Sequence, residues 1–248
     1  MDGLGDLPNP DLGGLTPLED ADTPILDQLA AAGRYGLVDP IVAGKTPNTH
    51  SGCGLLLGLV PEQIKCLKRG PVEAAGAGRV LRRGEIAVRA NFASIQQQDD
   101  ELLVTDRRAG RISKGVKRLA AELQDVDLGD GVRATLFSTD QHRAALVMTG
   151  EGLSEDVHDT DPGTNPLPAK LLPCKAKSVV AEFTAAKIDE FMTIAHDRLR
   201  EHPVNQDRRS EGRPEANGII TRGAGSWFSV DNTFVQKGMR VAVVSGCN

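Results

Sequence analysis

The chain reads as an α/β protein whose core is interrupted by an α+β insert, and three observations carry that reading. Asp22-Thr23-Pro24, followed by Ile25, Leu26 and Leu29, has the cap, first-turn proline and apolar spacing of a core-covering helix that stops at Gly33. Between residues 86 and 149 short strands surround a single helix, which fits an α+β unit better than continued parallel βαβ winding. Residues 239–245 (MRVAVVS) then read as a buried strand that returns to the first layer.

Within the insert the order of elements follows from local pattern. Ile86 to Phe92 and Leu102 to Thr105 are expected strands, Ser113 to Gln124 a helix, and Val132 to Phe137 and Ala144 to Thr149 further strands. Asp159 to Pro173 is rich in proline and reads as a loop crossing between layers. Beyond it, Val180, Thr184, Ile188, Phe191, Ala195 and Leu199 recur at three- and four-residue steps. They mark one stripe of a long helix from Ser178 to about Glu201. The expected domain boundaries are 1–84 for the first part of the core, 85–200 for the insert and 201–248 for the return to the core.

Composition narrows the function classes. The 248 residues suffice for one large or two ordinary domains, and 40% apolar residues can fill a core. With aromatic residues at 3% and 27 glycines, that core is built from Val, Leu, Ile and Ala. A net charge of −5 with dispersed basic residues leaves no electrostatic footprint for nucleic acid. No run approaches the ~18 apolar residues of a membrane span and no signal peptide opens the chain, so a cytoplasmic enzyme is expected. Cys53, Cys66, Cys174 and Cys247 lack C-x-x-C spacing and read as reduced thiols.

Two short turns carry chemistry. Pro47-Asn48-Thr49-His50-Ser51-Gly52 places two hydroxyls just before Leu55-Leu56-Leu57. A turn feeding a helix aims free N–H groups and a positive dipole end at an approaching anion, so a phosphate could settle beside Thr49 or Ser51; ordinary helix capping explains the same residues. At the start, Asp2 and Asp6 in a glycine-rich turn could hold a divalent cation through oxygen, although a plain polar turn has the same composition.

In this order, the two turns resemble the archaeal-type, cofactor-independent phosphoglycerate mutases of the alkaline phosphatase superfamily, and the resemblance runs along nearly the whole chain. It rests on Asp2 to Asp6, Thr16 to Leu29 (TPLEDADTPILDQL), Arg69 to Gly78 (RGPVEAAGAG), Arg89 to Ser94 (RANFAS), Asp106 to Ile112 (DRRAGRI), Asp159 to Pro162 (DTDP), His202 to Asn205 (HPVN) and Ala216 to Gly225 (ANGIITRGAG). The resemblance implies an alkaline-phosphatase-like core with an inserted α+β domain, Asp2 as a metal ligand, and Thr49 as both metal ligand and phosphorylated nucleophile. It also implies two divalent ions, with Mn, Mg, Zn and Co all open, and phosphoglycerate as the small-molecule substrate. Two departures stand out: members usually have Ser followed by an acidic residue and a nearby His, whereas this chain reads Thr49-His50 with Cys53 near the later position. Threonine serves as nucleophile in phosphodiesterase relatives of the superfamily.

The insert is dense in arginine. Guanidinium groups grip carboxylate and phosphate through paired hydrogen bonds, which suits a substrate bearing both groups. The expected substrate-binding residues are Arg89 and Asn91 at a strand end, Arg111 beside Gly110, His142 and Arg143 at a strand start, Asp161, and Asn217 and Arg222 in the ANGIITRGAG stretch; Arg107 and Arg108 flank Gly110 in the same turn as Arg111 and are not assigned to the substrate. Solvated surface positions are the alternative for each arginine taken singly.

Only Met1 precedes Asp2, and Gly246-Cys247-Asn248 looks like a turn into a helix that does not follow. The expectation is therefore a fragment lacking the first core strand and the C-terminal Asp and His ligands that the resemblance implies. The implied reaction is interconversion of 3- and 2-phosphoglycerate through a phosphothreonine, or a phosphoserine on Ser51. A metal-dependent phosphatase or phosphotransferase on another small substrate, or an inactive truncated chain, are the alternatives, and a homo-oligomer is left open.

Overall fold

The structure is a computed structural model that describes residues 5–228, apart from 35, 37, 48, 100, 164 and 165, together with Gly238. The chain divides into two compact units, Met1–Gly44 and Lys45–Asn248. The expected strand at 239–245 lies outside the described residues.

The first unit is held by local capping. Asn9 caps a 3-10 turn at Pro10–Leu12 by accepting the Asp11 N–H. Helix α1 (Pro17–Asp20) opens on a reciprocal capping box: Thr16 Oγ1 accepts the Glu19 N–H at 3.2 Å and the Glu19 carboxylate accepts the Thr16 N–H at 2.8 Å. Helix α2 (Pro24–Ala32) starts on proline and ends at Gly33, as its sequence pattern predicts. Its apolar residues Ile25 and Leu29 are exposed in this structure.

The second unit begins with three short helices, α3 (Thr49–Leu56), α4 (Pro61–Cys66) and α5 (Arg69–Gly76). The sheet follows, from β1 (Ile86–Gln98), β2 (Glu101–Asp106), β3 (Val126–Asp127), β4 (Arg133–Ser138), β5 (Arg143–Thr149), β6 (Ala169–Lys170) and β7 (Gly218–Ser226). The order is β3-β4-β5-β1-β2-β6 with β7 also on β1, and every pairing is antiparallel. Fold class is accordingly mixed helix and sheet, with an antiparallel sheet among the described residues. The strand beyond residue 200, β7, pairs along the same β1 that opens the 85–200 segment.

Alternation along β1 assigns its two faces. Ile86, Val88, Ala90 and Phe92 enter the main core with Leu136, Leu146, Met148 and Ile219. Against them pack Leu119 of α6 (Val116–Ala121) and Ile188, Phe191, Ala195 and Leu199 of α7 (Glu182–Arg200). The expected stripe of the long helix is buried there except for Val180, which lies in the 3-10 turn before α7 and is exposed. Helix α6 is shorter than expected because Gly115 caps it in a left-handed conformation, and a Cβ at Gly115 would lie 2.8 Å from Val204 of α8 (Pro203–Ser210).

On the opposite face, Ala87, Ala145 and Val147 form a small core with Ala74 of α5 and Leu81. Helix α5 comes so close that a Cβ on Gly70 would sit 2.0 Å from the Ala87 carbonyl oxygen. That small core covers only part of the face. The rest carries Arg89 and Asn91.

Candidate active site on the polar face of the sheet

Asn91 on β1 pairs with Arg143 on β5, and Arg89 on β1 pairs with Arg222 on β7. Directly paired residues share a face, so three strands contribute guanidinium groups to one surface. The two β1 residues stand mid-strand rather than at a strand end, because β1 runs on to Gln98. His142 precedes β5, and its carbonyl accepts the Phe92 N–H at 2.8 Å, which continues the β1–β5 ladder to the edge of this patch.

Two carboxylates organise the arginines. Asp161 is buried and forms a two-point ion pair with Arg107, through Arg107 Nε to Oδ1 and Nη2 to Oδ2 at 2.7 Å. Its Oδ2 also lies 3.4 Å from Arg222 Nη1. The backbone N–H of Asp161 donates to the Thr221 carbonyl at 3.1 Å, so the DTDP loop is stitched to β7 where the carboxylate is needed. Hydrogen bonding to Asp161 holds the Arg107 guanidinium above its ordinary pKa. Glu73 of α5 brings Oε2 to 3.5 Å from Arg89 Nε, while its Oε1 accepts the Thr139 hydroxyl.

The pairing leaves the cluster under-satisfied. Arg89 Nε, Asn91 Oδ1, His142 Nδ1 and Arg143 Nε are buried without a hydrogen-bond partner. Among the described residues only Ser178 Oγ shares that condition. Each such atom costs on the order of 1–3 kcal/mol, and four of them lie on residues of β1 and at the start of β5. Burial, with the like charges of Arg143 and Arg69, lowers the Arg89 pKa against the opposing pull of Glu73. Burial first, and then Arg143, Arg108, Arg89 and Arg111, push the His142 ring down to about 4. His142 is therefore neutral near pH 7, and its unpartnered nitrogen can accept or donate according to tautomer.

Arg108 and Arg111 reach the neighbourhood through an uncommon turn. Ala109 (φ 45°), Gly110 (φ 61°) and Arg111 (φ 53°) are successive left-handed residues. For the two that carry a Cβ this conformation costs roughly 1–2 kcal/mol each.

The structure thus brings Arg89, Asn91, His142, Arg143, Asp161 and Arg222 together, with Arg111 at the margin. Asn217 is elsewhere: its Oδ1 accepts the Ile95 N–H at 2.7 Å and its Nδ2 donates to the Ile95 carbonyl at 2.9 Å, so its amide pins β7 to β1. Asp161 meets arginines rather than open space. Thr49 is the first residue of α3, and its side chain, like all of Asp2, lies outside the described residues. No group of three or more His, Cys, Asp or Glu able to hold a metal occurs among the described residues. Asp2 and the Thr49 side chain, which the resemblance assigns to metal, are not among the residues described. Sequence reasoning missed Glu73, whose one available signal was its place in the RGPVEAAGAG stretch, and it left Arg107 out of the substrate-binding set.

A buried guanidinium cluster with an unpartnered amide oxygen and a neutral imidazole suits a small anionic substrate. Residues 30–205 match the family model described as 2,3-bisphosphoglycerate-independent phosphoglycerate mutase. The chain belongs to this family. Phosphoglycerate mutase relatives include one from Methanopyrus kandleri, 41% identical over 100% of this chain and 58% of its own length. Another, from Methanocaldococcus jannaschii, is 38% identical over 99% of this chain and 58% of its own length. Among solved structures, the cofactor-independent phosphoglycerate mutase of Thermoplasma acidophilum aligns with a TM-score of 0.61 at 35% identity, covering 92% of this chain and 58% of that one. A Pyrococcus horikoshii protein aligns with a TM-score of 0.65 at 28% identity, over 95% of this chain and 52% of that one. This phosphoglycerate mutase family chain therefore spans somewhat more than half the length of the relatives it matches.

Proposed function

We propose that the chain is part of a phosphoglycerate mutase that interconverts 3- and 2-phosphoglycerate, and that the polar face of its sheet clamps the substrate. The observation that carries this reading is the set of buried polar atoms without hydrogen bonds on Arg89, Asn91, His142 and Arg143. A phosphoglycerate carries a phosphate and a carboxylate at either end of a hydroxylated chain. Arg89, Arg143 and Arg222 grip its oxygens, Asn91 Oδ1 accepts from its hydroxyl, and neutral His142 completes the contact without adding charge. Held this way, glycerate left behind by phosphoryl transfer stays to present its second hydroxyl, and closure of the arginine face excludes the water that would hydrolyse a phosphoenzyme.

The phosphoryl acceptor in this reading is Thr49. It stands at the start of α3, where the first-turn N–H groups lack intrahelical partners and favour an anion. The resemblance assigns Asp2 and Thr49 to two divalent cations, of Mn, Mg, Zn or Co, which when bound would lower the hydroxyl pKa and neutralise charge on the transferring group. In the domain arrangement we infer, 1–84 belongs to an alkaline-phosphatase-like core, 85–200 is the inserted clamp, and 201–248 returns to the core after supplying β7 to the clamp's sheet. A cytoplasmic location fits a glycolytic enzyme, and no helix among the described residues is long and apolar enough to cross a membrane.

The test is calorimetric titration of the chain with 3-phosphoglycerate and, in parallel, with an aryl phosphate lacking the carboxylate. Saturable one-to-one binding of 3-phosphoglycerate alone is expected. Equal binding of both would favour the phosphatase alternative, for which the threonine in place of serine speaks, and binding of neither would defeat the reading.

A further inference from the structure

Arg208 of α8 is buried, yet it makes no ion pair with a carboxylate among the described residues. Its fork is engaged by backbone: Nε donates to the Pro214 carbonyl at 2.7 Å and Nη2 to the Ala109 carbonyl at 2.8 Å. Ala109 opens the left-handed turn, and the other side of that turn is held by Asp106, whose carboxylate accepts the Arg108 N–H at 2.8 Å and the Gly110 N–H at 2.6 Å. Pro214 presses on the same place, since a Cβ at Gly110 would lie 3.3 Å from Pro214 Cγ. Three successive left-handed residues do not persist without such over-determination.

We propose that Arg208 is a positioning residue for the phosphoglycerate site, its guanidinium clamping the Ala109–Arg111 turn so that Arg108 and Arg111 stay beside His142. This rests on the mutase reading for the identity of the ligand, not for the clamp. The start of the turn is tied to the site by Asn91 Nδ2, which donates to the Arg107 carbonyl at 3.4 Å, and the charges that act on the His142 ring are those of Arg143 from β5, Arg108 and Arg111 from the turn, and Arg89 from β1. Only Arg108 and Arg111 depend on Arg208. Lysine at 208 would keep a buried charge but lacks the fork that reaches two carbonyls at once. The neighbouring cleft of about 290 Å³, lined by Arg111, Lys114, Arg208 and Arg213, follows from the clamp and is not a second ligand site: Arg208 is engaged by carbonyls and Arg213 by Glu211.

The experiment is an NMR titration of His142 in the wild-type chain, Arg208→Lys and Arg208→Met, alongside 3-phosphoglycerate binding. In folded variants the His142 pKa is expected to rise above about 4 as Arg108 and Arg111 move away, while burial and Arg143 still hold it below its ordinary value, and the Kd for 3-phosphoglycerate is expected to weaken about tenfold. A purely structural role would lower the melting temperature and leave His142 unmoved, and an unchanged His142 titration in both variants overturns the proposal. If neither variant folds, the wild-type amides of Gly110 and Arg111 decide, because they must shift on saturation with 3-phosphoglycerate and their silence overturns it. Failure of the wild-type chain to bind 3-phosphoglycerate counts against the mutase reading alone, since the His142 titration reports on the clamp without any ligand.

Discussion

Arg89 on β1 is the register partner of Arg222 on β7, so two arginines leave neighbouring strands on the same face of the sheet. Like charges in that position oppose strand pairing. Here each is offset from a different direction, Arg89 by Glu73 of α5 at 3.5 Å and Arg222 by Asp161 of the DTDP loop at 3.4 Å. Repulsion is tolerated where it keeps positive charge concentrated for an anion, and the consequences can be measured.

Replacing Arg89 with methionine removes a partly buried cation whose Nε is ion-paired with Glu73 but not hydrogen-bonded, while keeping much of the packed stem. Stability to urea is expected to change by less than about 1 kcal/mol, because relief of repulsion offsets the lost ion pair. Affinity for 3-phosphoglycerate is expected to fall by about 10- to 100-fold, the value of one charge-assisted contact. Loss of stability without loss of affinity would make Arg89 a structural residue.

Asp161→Asn should behave in the reverse way. The substitution leaves Arg107 and Arg222 without their shared buried anion, which is expected to cost roughly 2–4 kcal/mol in equilibrium unfolding. Double-mutant cycles with Arg107→Met should recover a large part of that cost. Additivity within about 0.5 kcal/mol would show that the pair is not coupled.

Acid should destabilise the chain through His142. The folded ring is pushed down to about 4 from an ordinary value of 6.5, so between these values the unfolded chain binds more protons. The contribution is present above pH 6.5 and is lost as pH falls towards 4, amounting to about 1–3 kcal/mol. Urea melts at pH 7.5 and 4.5, for wild type and His142→Asn, check the sign: the drop should be smaller in the variant.

Gly70→Ala tests the coupling of helix and site. Its Cβ would meet the Ala87 carbonyl oxygen at 2.0 Å, so α5 must move off β1, at a cost of roughly 1–3 kcal/mol. That motion carries Glu73 away from Arg89, and weaker 3-phosphoglycerate binding is expected alongside the lower melting temperature. An intact Arg89–Glu73 coupling in a variant of lowered stability would separate the two effects.

For phosphoryl transfer, Thr49→Ala in a protein extended to the length of its relatives should abolish phosphoenzyme labelling from 3-phosphoglycerate. Label persisting on Ser51 would reassign the nucleophile.

Much of the local structure was legible from spacing. The Asp22-Thr23-Pro24 start and Gly33 stop bracket α2, and the Thr184-Ile188-Phe191-Ala195-Leu199 stripe is the buried face of α7. These features depend on residues within one or two turns of each other. The short helices α4 and α5 were not anticipated, because their sequences lack a long periodic stripe. Helix α6 starts later than its sequence predicts, at a left-handed Gly115 where Val204, some ninety positions away in sequence, leaves no room for a side chain.

For the site, the sequence by itself determined which residue types were available: arginines in motif positions, a histidine at a strand start, an aspartate in a proline-bounded loop. Tertiary structure alone decided which of them meet. Strand register set Arg89 against Arg222 and Asn91 against Arg143, while Asn217, chosen on the same motif evidence, turned inward to the Ile95 backbone. The physical reason is that a period-2 strand announces its two faces but not its partner or register. Those follow from long-range burial of Ile86, Val88, Ala90 and Phe92 on the other side of the sheet.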